Sequence, residues 1–335
     1  MRIAVLCNGY GYVQRGSERF TEQFTRHMSK WFELNVFSVN DTMTPRRGDI
    51  RFPWRNGRAY LESYLFARAL HRRDMLRGYD VVVNNAGPPA SIWCNMVRRR
   101  HSIPFISRAR GGGREEYLSR LMRPDMMVFL TDEHRRVICP MSLTPSVVIP
   151  NAIDPDDYRG GDTSLFDGLE KPIYFSASAF VGFKRHHLII DAVSRLPGTL
   201  VMAGDGELRE ETVRYARDML GNRYRYMGNI EDRNMLLSAY RSSDVYVDAS
   251  KEKGFANVYL EAIACGLPLV LQDSSRFRDA LGHSSAVFFC NCSNTEAFAG
   301  AIETAVGSHP SLDDIAPYTW DAIEKAWKTC LEEVT

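Results

Sequence analysis

The stretch KEKGFANVYLEAIACGLPLVL, residues 251–271, reads as a strand exit, a glycine turn at Gly254, a short helix, a glycine stop at Gly266 and a second apolar strand. A helix that opens at a strand exit presents backbone N–H groups without intrahelical partners, and its dipole favours an anion there. The amides of Phe255, Ala256 and Asn257 fall at that position. One turn further on, the carboxylate of Glu261 is within reach of sugar hydroxyls beside such an anion, and Gly266 ends the helix. A diphosphate next to hydroxyls points to a nucleotide.

Outward from this corner the same grammar recurs. Short β-rich runs alternate with helical patterns: 3–7, 34–39, 81–84, 104–107, 126–130 and 147–149, then 173–176, 200–203, 224–227, 245–248, 268–271 and 286–289. Such alternation implies parallel sheets with helices on both faces and ligands outside the carboxyl ends of the strands. The fold class is α/β, with two doubly wound Rossmann-like domains. The polar, glycine- and proline-bearing stretch 151–171 separates them. The expected division is 1–155, 168–316, and a final amphipathic helix in 317–335 with Ile323, Trp327 and Leu331 at core spacing.

Charge divides the chain as well. Residues 1–150 hold 24 Arg and Lys against 13 Asp and Glu, the remainder 18 against 28, so +11 and −10 lie behind a formal net charge of +1. A basic half attracts anionic partners such as an acidic saccharide, a phosphorylated lipid carrier or an anionic membrane face. The plain alternative is a solvated basic surface. The seven cysteines are odd in number and lie mostly in apolar runs, so they read as reduced, buried thiols. No Cys/His spacing resembles a zinc site, and no metal is expected. Met1-Arg2 leads directly into a short strand, and no apolar run approaches the roughly 20 residues needed to span a bilayer. A cytoplasmic protein with peripheral membrane contact at most is expected.

Taken in order, Gly16-Ser-Glu-Arg19, Ile149-Pro-Asn-Ala-Ile-Asp154, Lys184, Ala203-Gly-Asp-Gly206, Met227-Gly-Asn229, the stretch 251–271 and Tyr318-Thr-Trp320 resemble the landmarks of the retaining glycosyltransferases of family 4. The resemblance implies the GT-B fold, two Rossmann-like domains facing each other across a cleft, with the last helix crossing back onto the N-terminal domain. It implies transfer of a hexose-like sugar from a UDP- or GDP-sugar to a saccharide, lipid-linked or other acceptor, without a cofactor or metal. Lys184 then matches the diphosphate lysine. Glu261 matches the ribose-binding glutamate, Gly204, Asn229 and Ile230 line the base and nucleotide side, and Gly16 faces the donor or acceptor from the N-terminal domain. Gly254, Phe255, Ala256 and Asn257 would cradle the diphosphate.

Two departures stand out. The family places an arginine five residues before its lysine, where this chain has Ala179, leaving Arg185 or an N-terminal arginine to compensate or the leaving group less stabilised. The family's first glutamate, eight positions before the second, is Lys253 here, and Glu252 is one residue early. Three readings follow: Glu252 slips into contact with the donor sugar, Lys253 replaces it for an unusual sugar, or catalysis has lapsed.

In Ser107-Arg-Ala-Arg-Gly-Gly-Gly-Arg114, Arg108 and Arg110 are the candidates for contact with an acceptor or phosphate, against a solvated loop as the plain alternative. A non-catalytic sugar-nucleotide or saccharide binder and a GT-B sugar-nucleotide epimerase are the rival functions. The epimerase needs a carboxylate or histidine pair for proton transfer, and none is evident. Nucleic acid is disfavoured as a partner, since only the basic half speaks for it.

Overall fold

The computed structural model describes residues 1–12, 16–44, 57–110, 113–140, 144–251 and 255–335. The chain divides into two compact units, Met1–Ala152 with Trp320–Thr335, and Ile153–Thr319.

In the first unit, β1 (Arg2–Leu6), β2 (Glu33–Phe37), β3 (Val81–Asn84), β4 (Phe105–Ala109), β5 (Met126–Phe129) and β6 (Ser146–Val148) form a parallel sheet in the order β2-β1-β3-β4-β5-β6. Its helices are α1 (Gly16–Met28), α2 (Val39–Thr42), α3 (Gly57–Arg72), α4 (Ala90–His101), α5 (Glu116–Leu121) and α6 (Asp132–Ile138). Alternate side chains divide between the two faces, as the strand period requires. Ile3, Val5, Val81 and Val83 meet Phe20 and Phe24 of α1. Ala4, Leu6 and Val82 meet Phe66 and Leu70 of α3 and Ala90 and Cys94 of α4. Both faces are covered, which is why β3 is an unbroken apolar run up to its last residue.

In the second unit, β7 (Ile173–Ala177), β8 (Thr199–Ala203), β9 (Tyr224–Tyr226), β10 (Val245–Asp248), β11 (Leu269–Gln272) and β12 (Val287–Cys290) form a second parallel sheet, ordered β12-β11-β10-β7-β8-β9. Around it lie α7 (His186–Val193), α8 (Arg209–Leu220), α9 (Arg233–Arg241), α10 (Asn257–Ala264), α11 (Ser275–Leu281) and α12 (Thr295–Ala305). The stretch read as linker belongs to this unit from Ile153 onward. Tyr158 is buried there, and the amides of Asp162 and Leu165 donate to the hydroxyls of Ser238 and Ser242. The last helix, α13 (Trp320–Val334), is part of the first unit. Its Trp320, Ile323, Trp327 and Leu331 are buried with Phe20, Phe24 and Met28, and the Phe24 and Trp327 rings meet edge-on at 4.9 Å.

Strand order reverses between β1 and β3 in one sheet and between β7 and β10 in the other. At such a reversal the two flanking connections leave in opposite directions and open a crevice at the strands' carboxyl ends.

Candidate functional site

The carboxyl ends of β7 and β10 bring together residues far apart in sequence. After β7 a 3-10 turn, Gly182–Lys184, delivers Lys184, whose Nζ lies 3.0 Å from Asp248 Oδ2 at the last position of β10. Their side chains are 13% and 2% exposed, so the amine is aimed into the fold and not at bulk solvent. Asp248 also accepts from the backbone N–H and hydroxyl of Ser250 and from the Tyr259 hydroxyl at 3.3 Å. Burial works against ionisation of Asp248, but Lys184 and the Ser250 donors outweigh it and hold the carboxyl below the usual range. The Lys251 amide donates to Phe183 O at 2.8 Å, tying the lysine turn to the β10 exit.

Arg185, which follows in a left-handed conformation, has its Nε 2.6 Å from Ala249 O, with its other nitrogens on Ser293 and Gln272. It braces the ends of β10 and β11. The helix after it begins at His186, because the left-handed Arg185 stands outside the helix. Burial, opposed by Asp248 and reinforced by Lys184, brings His186 down to about 4.

The helix of the opening stretch is α10. Ala256 occupies its N-cap in extended conformation with no side-chain hydrogen bond to the helix. A side chain that could satisfy the first amides is therefore lacking at the cap, and that end can receive an anion. Asn257 Oδ1 is buried without a hydrogen-bond partner. The Phe255 ring is buried, 5.4 Å from that of Tyr318, so only its backbone can serve a ligand. Glu252, Lys253 and Gly254 lie outside the described residues. Glu261 is buried, with Tyr158 and Tyr240 hydroxyls each 3.4 Å from one of its carboxylate oxygens. A ribose on Glu261 would have to share or displace these two long bonds.

Gly204 has φ +130° and a Cβ there would stand 2.0 Å from Ser178 O, so the glycine is required by the 178–180 loop whatever binds nearby. Its amide donates to Gly228 O at 2.8 Å, setting the loops after β8 and β9 side by side. Asn229, at the head of the second loop, is exposed and donates to Glu231 Oε1, while Ile230 is half-buried. Asp205 accepts from the Gly206 amide and from Arg209 and does not cap α8, whose N-cap is Leu208.

In the first unit Gly16 opens α1, and a Cβ there would meet nothing among the described residues, so packing does not explain the glycine. Ser17 sits inside that helix and donates to Glu18, not at its cap. Arg108 does not reach outward as expected. It is 3% exposed, donates to Asn85 at 3.1 Å and Asn151 at 2.5 Å, and lies 3.5 Å over the Phe20 ring. Burial and neighbouring Arg110 lower it to about 9. The reason is positional: Arg108 is inside β4, whose side chains are buried throughout, whereas Arg110 lies beyond the strand and is half-buried, donating to Ala86 O at 3.3 Å.

Sequence reading missed Asp248, Tyr158 and Tyr240, and also Glu62, which is fully buried and accepts from Asn8 at 2.5 Å and Tyr12 at 2.9 Å. The one local signal was an acid closing the apolar run Val245-Tyr-Val. All seven cysteines are free and buried. Among the described residues no cluster of His, Cys, Asp or Glu is arranged to hold a metal ion, and no helix is long and apolar enough to cross a membrane.

This architecture is the GT-B fold, and residues 164–319, a little under half the chain, match the family described as "Glycosyl transferases group 1". That match lies within the second unit. The lipopolysaccharide core biosynthesis glycosyltransferase LpsE of Rhizobium meliloti is 33% identical over 142 residues, 42% of this chain and 41% of that protein. A GDP-mannose-dependent phosphatidylinositol dimannoside mannosyltransferase of Mycobacterium tuberculosis is 31% identical over 122 residues, 35% of this chain and 31% of that protein. The matched region thus spans less than half the length of these relatives. Among solved structures, sucrose-phosphate synthase from Thermosynechococcus elongatus superposes with TM-score 0.82 at 15% identity, over 99% of this chain and 98% of that one. Anabaena HepE in complex with UDP and glucose gives 0.74 at 14% identity, over 99% and 100%.

Proposed function

We propose that the protein is a retaining, metal-independent glycosyltransferase that moves a hexose-like sugar from a nucleoside diphosphate to a saccharide or lipid-linked acceptor. The observation that carries the reading is the meeting of Lys184 with Asp248 at the β7/β10 reversal, where Asp248 is also bonded to Tyr259 in the first turn of the uncapped α10. A departing diphosphate accumulates negative charge, and an ammonium together with a helix N-terminus stabilises it without reorganisation. Glu261 would hold the ribose and the loops at Gly204 and Asn229 the base. Glu252 or Lys253 would address the sugar. The acceptor hydroxyl would attack from the face the leaving group vacates. Arg110 and the +11 charge of residues 1–150 favour an anionic acceptor on the first unit, with peripheral membrane contact as one way to present it. The GDP-mannose dependence of the mannosyltransferase supports the donor class.

A second reading, a nucleotide-sugar binder without turnover, is favoured by Ala179 and by the commitment of Arg185 to Ala249, Ser293 and Gln272. A panel of UDP-, GDP-, ADP- and dTDP-sugars decides between them. Protection against heating together with release of the nucleotide supports the transferase. Protection without release on any acceptor supports the binder, and no response to any donor defeats both.

A further inference from the structure

Asp248 is a carboxylate placed where the proposed function brings in a second anion. A buried ion pair is seldom a gain in stability over apolar residues of the same volume, so stability alone does not account for an acid at the end of the run Val245-Tyr-Val. Its geometry offers another account. The Oδ1 atom is taken by Ser250, and Oδ2 receives Tyr259 from α10 and Lys184 from the turn after β7. An ammonium has three N–H groups. With one on Asp248, two remain, and the same Asp248 oxygen is bonded to Tyr259 in the first turn of α10. The Lys251–Phe183 backbone bond keeps the turn that carries the lysine against the same strand exit.

We propose that Asp248 is the positioning residue for Lys184, fixing its ammonium by one hydrogen bond so that the other two address the diphosphate of a nucleotide-sugar donor. This rests on the donor site argued above. The carboxylate acts through the lysine and not on the ligand.

Affinities for UDP, GDP, ADP and dTDP are measured by calorimetry on the wild type, Asp248→Asn, Lys184→Met and the double variant. For whichever nucleotide the wild type binds, Lys184→Met weakens binding about tenfold and Asp248→Asn about fivefold, and Asp248→Asn adds nothing once Lys184 is gone. The ammonium cross-peak of Lys184 in 1H–15N spectra shifts when nucleotide is added to the wild type and is lost to solvent exchange in Asp248→Asn. An equal penalty for Asp248→Asn in both backgrounds overturns the proposal while leaving the donor site intact. Tighter binding by Asp248→Asn also overturns it, because the carboxylate then competes with the diphosphate. A wild type that binds none of the four nucleotides removes the donor site itself, and the proposal with it.

Discussion

His186 shows how one side chain ties the candidate site to stability. Its Nε2 is 2.9 Å from Ser178 Oγ and its ring stacks on Phe180 at 4.5 Å. Burial first of all, with Asp248 opposing and Lys184 assisting, lowers it from 6.5 to about 4. The unfolded chain accepts a proton there that the folded chain refuses, so stability falls as pH drops through the window between those two values. The loss accumulates to about 2–3 kcal/mol at the acid end. His186→Gln keeps a partner for Ser178 and removes the titration, so its urea midpoint should decline less steeply over that window; parallel curves for the two proteins refute the assignment. Gly204→Ala is a sharper test of the neighbouring loop. With Ser178 O 2.0 Å from the new methyl and φ at +130°, the loop must move, at about 3 kcal/mol or more, read as a fall in the melting temperature. Legibility divides at this level. Glu261 stands one turn past the amides that open its helix, whereas Lys184 is singled out by its resemblance to the family's diphosphate lysine. Asp248, Tyr158 and Tyr240 could not be singled out, since they come from 64 residues after the lysine and from 103 and 21 residues before the glutamate. Arg108 misled for the opposite reason: an arginine near glycines looks mobile, and only the extent of β4 reveals that it points inward.

The helix α10 has an N-cap that forgoes stability. Ala256 is extended, as an N-cap should be, yet offers no side-chain oxygen to the first amides. Ala256→Asp supplies one, and its charge complements the helix dipole, so the variant should be about 0.5–1 kcal/mol more stable. The same carboxylate would occupy the amides that a diphosphate needs and repel it. Melting temperature should therefore rise while affinity for the donor nucleotide falls, by about tenfold or more. A rise in stability with unchanged affinity would mean that the diphosphate does not use this helix. The strands were the most legible elements, because strands covered on both faces are short apolar runs, and all twelve expected runs are strands whose ends differ by two residues at most. Helix starts were less so. Asp205 had the right chemistry for a cap on α8, but its carboxylate is taken by Gly206 and Arg209, and the helix begins after Leu208.

The two units are unequal in how the chain builds them. The second is one continuous segment, Ile153–Thr319, with its own sheet and core from Tyr174 and Ile189 to Phe298 and Ile302. The first needs both ends of the chain, because α13 supplies Trp320, Trp327 and Leu331 to the core that α1 and the sheet begin. Residues 153–319 expressed alone should therefore melt in one cooperative transition and, since Lys184, Asp248, α10 and Glu261 all lie within them, keep the nucleotide affinity proposed for the whole chain. Residues 1–152 without 320–335 should not fold, since they lose two buried tryptophans and the apolar face of a helix. Within the full chain, Trp327→Ala should remove about 3–5 kcal/mol from the first unit alone. Two-probe denaturation reads this directly: the transition of the first unit moves to lower urea, while that of the second, followed by nucleotide binding, stays in place. If both transitions move together by the same amount, the units unfold as one and the division into a contiguous donor unit and a discontinuous partner is wrong.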